Sequence, residues 1–141
     1  TATDDKMMAN MVLAKNAQLT NNLFEATDAY KTVITLGKSE YAAEARYRIA
    51  EILLLQNKLP EAEKAGFDVI NKAGSYDYWI TKAYILLGDV YTRQEDYFNA
   101  EATLKSVVEN AKIPELQKEA QQKLDAVVKA KNEKSKVASS N

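Results

Sequence analysis

Apolar residues recur at helical spacing along most of the chain, in stretches interrupted by short polar breaks. That periodicity marks helices with one buried face. The breaks are Asn21-Asn22, Gln56-Asn57-Lys58 and Gln94-Glu95-Asp96. Seven helices are predicted, near 4–19, 22–36, 39–56, 59–73, 76–94, 97–110 and 114–131. Pro60 falls where a first-turn residue belongs, because its missing N–H costs nothing there. Asp96, Ser39 and Ser75 are placed to cap the helices that follow them. Gly37 and Gly74 are expected to end the second and fourth helices in the left-handed conformation.

The stripes repeat. The first block reads Leu13-Ala14, Leu23, Glu25-Ala26, Tyr30 and Val33-Ile34, the second Ile49-Ala50, Leu59, Glu61-Ala62 and Val69-Ile70. The third reads Leu87-Gly88, Tyr97, Asn99-Ala100, Leu104 and Val107-Val108. An offset of 36 residues relates Ala14 to Ala50 and Ala26 to Ala62; one of 38 relates Ala50 to Gly88 and Ala62 to Ala100. Several positions sharing one offset define an internal repeat. The fold class is therefore all-α, with three helix pairs over about 4–37, 39–74 and 76–112. The helix at 114–131 carries one apolar stripe (Leu116, Ala120, Leu124, Val127, Val128) opposite a polar face, as a capping helix would. Residues 1–131 read as one domain. Residues 132–141, rich in Lys, Ser and Ala, read as a disordered tail.

Composition removes several function classes. Neither Cys nor His occurs, so no thiolate, disulfide or imidazole base is available. A net charge of −1 offers no field for nucleic acid. The stretch Ile49–Leu55 is too short to cross a bilayer and is broken by Glu51. The chain opens on Thr1 without a Met, as a processed or excised chain would. No metal, cofactor, nucleic-acid partner, membrane insertion or enzymatic activity is expected.

The blocks resemble the tetratricopeptide repeat, most closely in the third, through Tyr84, Leu87, Gly88, Tyr91, Tyr97, Ala100 and Leu104. The repeat length exceeds the usual ~34 residues. Val33, Val69 and Val107 stand where Ala is usual, and Gly66 stands where a large residue is, with Phe67 to fill the space. The resemblance implies a right-handed α-α superhelix, or solenoid, of three helix pairs and a C-terminal capping helix. It implies a non-catalytic scaffold that holds a protein or peptide on its concave face. The alternative is a structural cap of a longer array, or a self-association module. The run Tyr78–Tyr91 looks like the C-terminal repeats of large bacterial multi-repeat proteins, which implies the tail of a longer array. Similarity to envelope members of the family, including outer-membrane assembly lipoproteins, favours the bacterial periplasm or outer membrane over the cytoplasm.

The family's concave positions fall here on Met8, Met11 and Lys15, then on Tyr47, Glu51 and Leu54, then on Lys82, Ile85, Asp89 and Arg93. The carboxylate clamp of co-chaperone relatives would use Met11, Lys15, Arg48, Lys82 and Leu86; both asparagines and two of its cations are missing. Lys15, Arg48 and Lys82 remain as a basic strip for an acidic segment. Tyr76, Tyr78, Trp79, Tyr84, Tyr91, Tyr97 and Phe98 read as core packing between the second and third blocks. The carboxylate pairs Glu61/Glu63 and Glu40/Glu44 read as solvated helix faces.

Overall fold

A computed structural model describes residues 1–140. Among them are seven α-helices and no strand: α1 (Ala2–Leu19), α2 (Leu23–Leu36), α3 (Glu40–Leu55), α4 (Leu59–Lys72), α5 (Asp77–Arg93), α6 (Tyr97–Asn110) and α7 (Pro114–Ser140). The chain divides into two compact units, the first spanning Thr1–Ala83 and the second beginning at Tyr84, within α5.

The three polar breaks fold into one and the same turn. In the first, the N–H of Asn21 donates to the carbonyl of Gln18, and that of Asn22 to the carbonyl of Ala17. Asn57 and Lys58 repeat both bonds to Leu54 and Leu53, as do Glu95 and Asp96 to Thr92 and Tyr91. This is the Schellman closure, which satisfies the last carbonyls of a helix and demands a left-handed residue at its centre. Asn21, Asn57 and Glu95 supply it, with φ of 62°, 57° and 59°. The next residue then serves at once as the N-cap of the following helix. Asn22, Lys58 and Asp96 share nearly one backbone conformation, with φ/ψ of −88°/71°, −88°/75° and −89°/72°. A single six-residue device thus reverses the chain three times, at the 36- and 38-residue spacings of the repeat.

Between pairs the connections differ. The Ser39 hydroxyl accepts the N–H groups of Tyr41 and Ala42 and caps α3 as expected. Asp96 likewise accepts the N–H of Asn99. At α5 the carbonyl of Tyr76, not Ser75, accepts the first helical bond, from Ile80. Gly74 is left-handed at φ 64°. Gly37 is not: its φ of 161° is extended backbone that any residue adopts.

In the first unit, α1, α2 and α3 bury one cluster: Met7, Met11 and Ala14, then Ala26, Tyr30 and Val33, then Ala42, Ala45 and Ile52. These are the apolar stripes of the sequence, with small residues where helices close on one another. Gly66 is buried on α4, while Phe67, expected to fill the space there, is exposed. In the second unit α6 packs on α7. Leu116, Ala120 and Val127 of α7 are buried there, with Leu124 and Val128 half-buried. Gly88 is the tightest approach: a Cβ on it would lie 2.6 Å from Cδ2 and 2.7 Å from Cγ of the fully buried Leu104.

Two further expectations need correction. The segment 132–141, expected to be disordered, continues α7 as helix through Ser140, and Asn141 lies outside the described residues. Its Ala, Lys and Glu residues are good helix formers. Lys131 pairs with Glu101 at 2.7 Å, while Lys134 reaches Glu95 at 3.7 Å and lies 5.4 Å from the Tyr97 ring centroid. The late aromatics are not a uniform core. Trp79 is buried and Tyr78, Tyr91 and Tyr97 are half-buried, but Tyr76, Tyr84 and Phe98 are exposed. Phe98 lies in the first turn of α6, a position that faces water in α2 as well, where Phe24 is exposed.

Two stability predictions follow from these positions. Gly88→Ala forces Leu104 out of its rotamer in a filled core and is expected to cost about 1–3 kcal/mol in urea unfolding. Glu95→Gly relieves a left-handed residue that carries a Cβ and is expected to add about 0.5–1 kcal/mol. The exposed Lys134 pair that it gives up is worth little.

Candidate functional site

The expected concave-face residues do not share one environment. Met11, Tyr47, Leu54 and Ile85 are buried packing residues and present little surface to a partner. Met8 and Arg93 are exposed. Asp89 accepts two hydrogen bonds from the Lys123 ammonium, at 2.7 and 2.9 Å, so in the second unit it anchors α7. Leu86, at the last clamp position, is buried.

Lys15, Arg48 and Glu51 do come together, in the first unit, with Glu44, Tyr30 and Gln18, none of which the repeat pattern placed on the binding face. Glu44 lies at their centre, only 9% exposed. The Arg48 guanidinium donates to Glu44 through Nε at 3.1 Å and to Glu51 through Nη1 at 3.2 Å. The Lys15 ammonium reaches the same Glu44 at 3.1 Å. The Gln18 amide donates to Glu51 at 2.7 Å, and its carbonyl accepts the Tyr30 hydroxyl at 2.8 Å. The chain from Tyr30 to Lys15 is continuous, which is the condition for burying polar groups without loss.

The α3 register makes this possible. Glu44, Arg48 and Glu51 are spaced four and three apart, so both carboxylates flank the guanidinium on one helix face. Burial works against the Arg48 charge, but Glu51 and Glu44 outweigh it and hold the guanidinium above its ordinary range. Its Cζ also lies 5.7 Å from the Tyr47 ring centroid and 5.6 Å from that of Trp79, within cation–π reach. Lys82 sits 5.5 Å from the same Tyr47 centroid. Glu44 is therefore no solvated face residue, as the sequence implied, but the counter-ion of two cations.

At its C-terminal end this network opens to solvent. A cavity of about 430 Å³ lies between α1 and α3, lined by Lys15, Gln18, Leu19, Tyr30, Arg48 and Leu55. Leu19 is 84% and Leu55 60% exposed, so two large apolar side chains stand in water at its rim. They occupy one repeat position, 36 residues apart, each the last residue of its helix. A second crevice, lined by Asp4, Ser39, Glu40, Tyr41 and Glu44, has an acidic lining.

The arrangement can hold a chain by apolar contact beside a neutralised polar floor. Among the described residues no three His, Cys, Asp or Glu side chains gather as a metal site would require, and no helix is long and apolar enough to cross a membrane.

Burial pushes the Tyr30 phenol up from its usual 10.0 to about 12, with Glu44 and Glu51 adding to the effect against Arg48. The folded protein keeps this proton where the unfolded chain has lost it. Stability from this group is therefore complete below pH 10 and is lost as pH climbs toward about 12. Tyr30→Phe is expected to cost about 1 kcal/mol near neutrality and to flatten the alkaline decline of the urea midpoint. An unchanged alkaline slope in Tyr30→Phe would contradict the assignment. Compared with protein-family models, characterised proteins and solved structures, the chain matches none.

Proposed function

We propose that the chain is a tetratricopeptide-type helical repeat acting as a non-catalytic scaffold, and that a protein or peptide segment docks in the groove between α1 and α3. The carrying observation is the pair Leu19 and Leu55, exposed on either side of an open cavity whose polar floor is already hydrogen-bonded. Apolar side chains left in water over a satisfied floor gain by being covered, at roughly 25 cal/mol per Å² of apolar area removed from water. The repeated turn supports the repeat reading, since one closure recurs at the spacing of the small-residue positions. The resemblance adds, as part of the same proposal, a bacterial periplasmic or outer-membrane address.

A second reading, stacking on a further helical repeat or on another copy, is favoured by α1. Met8, Val12 and Leu13 are exposed there on neighbouring turns. Ile49, the α3 residue equivalent to Leu13, is instead packed against the core cluster of the first three helices.

One experiment separates the two. A photo-crosslinking amino acid is placed at Leu55, at Leu13 or, as a control, at Lys118 on the polar face of α7, and is activated in cells. Groove docking predicts a discrete adduct from position 55 that is absent from position 118. Adducts from position 13 alone, including a covalent dimer, would replace the groove reading with the stacking one.

A further inference from the structure

We propose that Glu44 and Glu51 determine specificity at this groove: they are built-in counter-ions that refuse acidic guests. The inference rests on the docking reading above and adds the chemistry of the guest. A strip of Lys15 and Arg48 alone would attract any chain of carboxylates. In the folded protein both cations are occupied. Glu44 takes Lys15 at 3.1 Å and Arg48 at 3.1 Å, and Glu51 takes the other arm of Arg48 at 3.2 Å. Lys15 and Arg48 are thus cancelled by Glu44 and Glu51, with Lys82 lying against the Tyr47 ring. A guest carboxylate would meet opposed charges at similar distances, well inside the roughly 8 Å over which salt leaves a charge visible.

Geometry holds the Arg48 part of this cancellation in place. Glu44 and Glu51 lie on the same helix as Arg48, at fixed intervals of four and three residues, and Glu51 is also held by the Gln18 amide at 2.7 Å. Glu44 is 9% exposed, so no rotation into solvent frees Arg48 without opening the core. Glu44 also lines the acidic crevice with Asp4 and Glu40, where an extended acidic chain would meet further negative charge. Selection is left to the Leu19 and Leu55 rim, which suits an apolar segment with neutral or basic flanks.

The probe is a dye-labelled, N-acetylated hexaglutamate, titrated at low ionic strength and followed by anisotropy. Wild type is expected to show no saturable binding. Glu44→Gln/Glu51→Gln is expected to bind at least about tenfold more tightly than wild type, and adding Lys15→Gln should remove most of that gain. Wild-type binding as tight as that of the double variant would overturn the proposal, as would a double variant that gains nothing. Circular dichroism monitors folding; if the double variant unfolds, Glu51→Gln, at a half-exposed position, carries the test, and absence of any gain there overturns it too. Failure to crosslink from position 55 would end the docking reading but leave this charge measurement standing, so the two failures are distinguishable.

Discussion

The helix pairs depend on reversing a helix within six residues without leaving its terminal carbonyls unsatisfied. The Schellman closure achieves this only if one residue adopts φ near +60°. Three times the chain accepts that condition, at Asn21, Asn57 and Glu95. Because the residue after it is already the next N-cap, the reversal leaves no slack in which paired helices could rotate. The helix faces that meet are then set by counting from the turn. Ala14 and Ala26 lie close to the first turn, and Gly88 and Ala100 lie close to the third, where Leu104 fills the space above Gly88.

Much of this was legible in the sequence, because helix formation and burial leave a periodic trace. All seven helices fall within two residues of their expected starts, and six of the seven ends do as well. Small residues at constant offsets point to the same helix pairs. The turn itself was less legible. Asn is a frequent left-handed residue, but Glu95 carries no such sign, and only its register with Asn21 and Asn57 could have revealed it. The end of α7 departs from expectation for the opposite reason. A Lys- and Ala-rich segment without apolar period reads as unstructured, yet helix propensity and cross-helix pairs from Lys131 and Lys134 are local effects that need no stripe.

Residue types and spacing point to the polar cluster, but not to its environment. Lys15, Arg48 and Glu51 meet in one polar cluster, while Met11, Tyr47 and Leu54 on the same helices are buried. Helix position alone does not determine how far a neighbouring helix covers a side chain. The burial of Glu44 leaves little trace in the sequence, because charged residues are usually solvated. The clue was its spacing: an Arg with acids four residues before and three after it carries its own counter-ions. Such a buried cluster is weak evidence for stability, since desolvation opposes its attraction, and breaking it costs more than making it gains. Its distinctive consequence is geometric. It fixes the α1 and α3 side chains that border the cavity, and it does so without leaving net charge.

One repeat position shows how the same scaffold is put to different uses. Lys15, Glu51 and Asp89 are equivalent by the offsets of 36 and 38 residues. The first two enter the Glu44–Arg48 network and so help to build the floor of an open groove. The third accepts Lys123 and fastens α7. A charged residue at this place points away from the core in every repeat, and its role is set by which opposite charge the chain supplies nearby. Where the supply comes from α1 and α3 themselves, the surface is neutralised and stays open; where it comes from a later helix, the surface is covered. The packing of α7 and the open cavity beside Leu19 and Leu55 are therefore two outcomes of one constraint: a charge at the margin of a packed helix face must find a partner, and the partner's origin decides whether the face is covered.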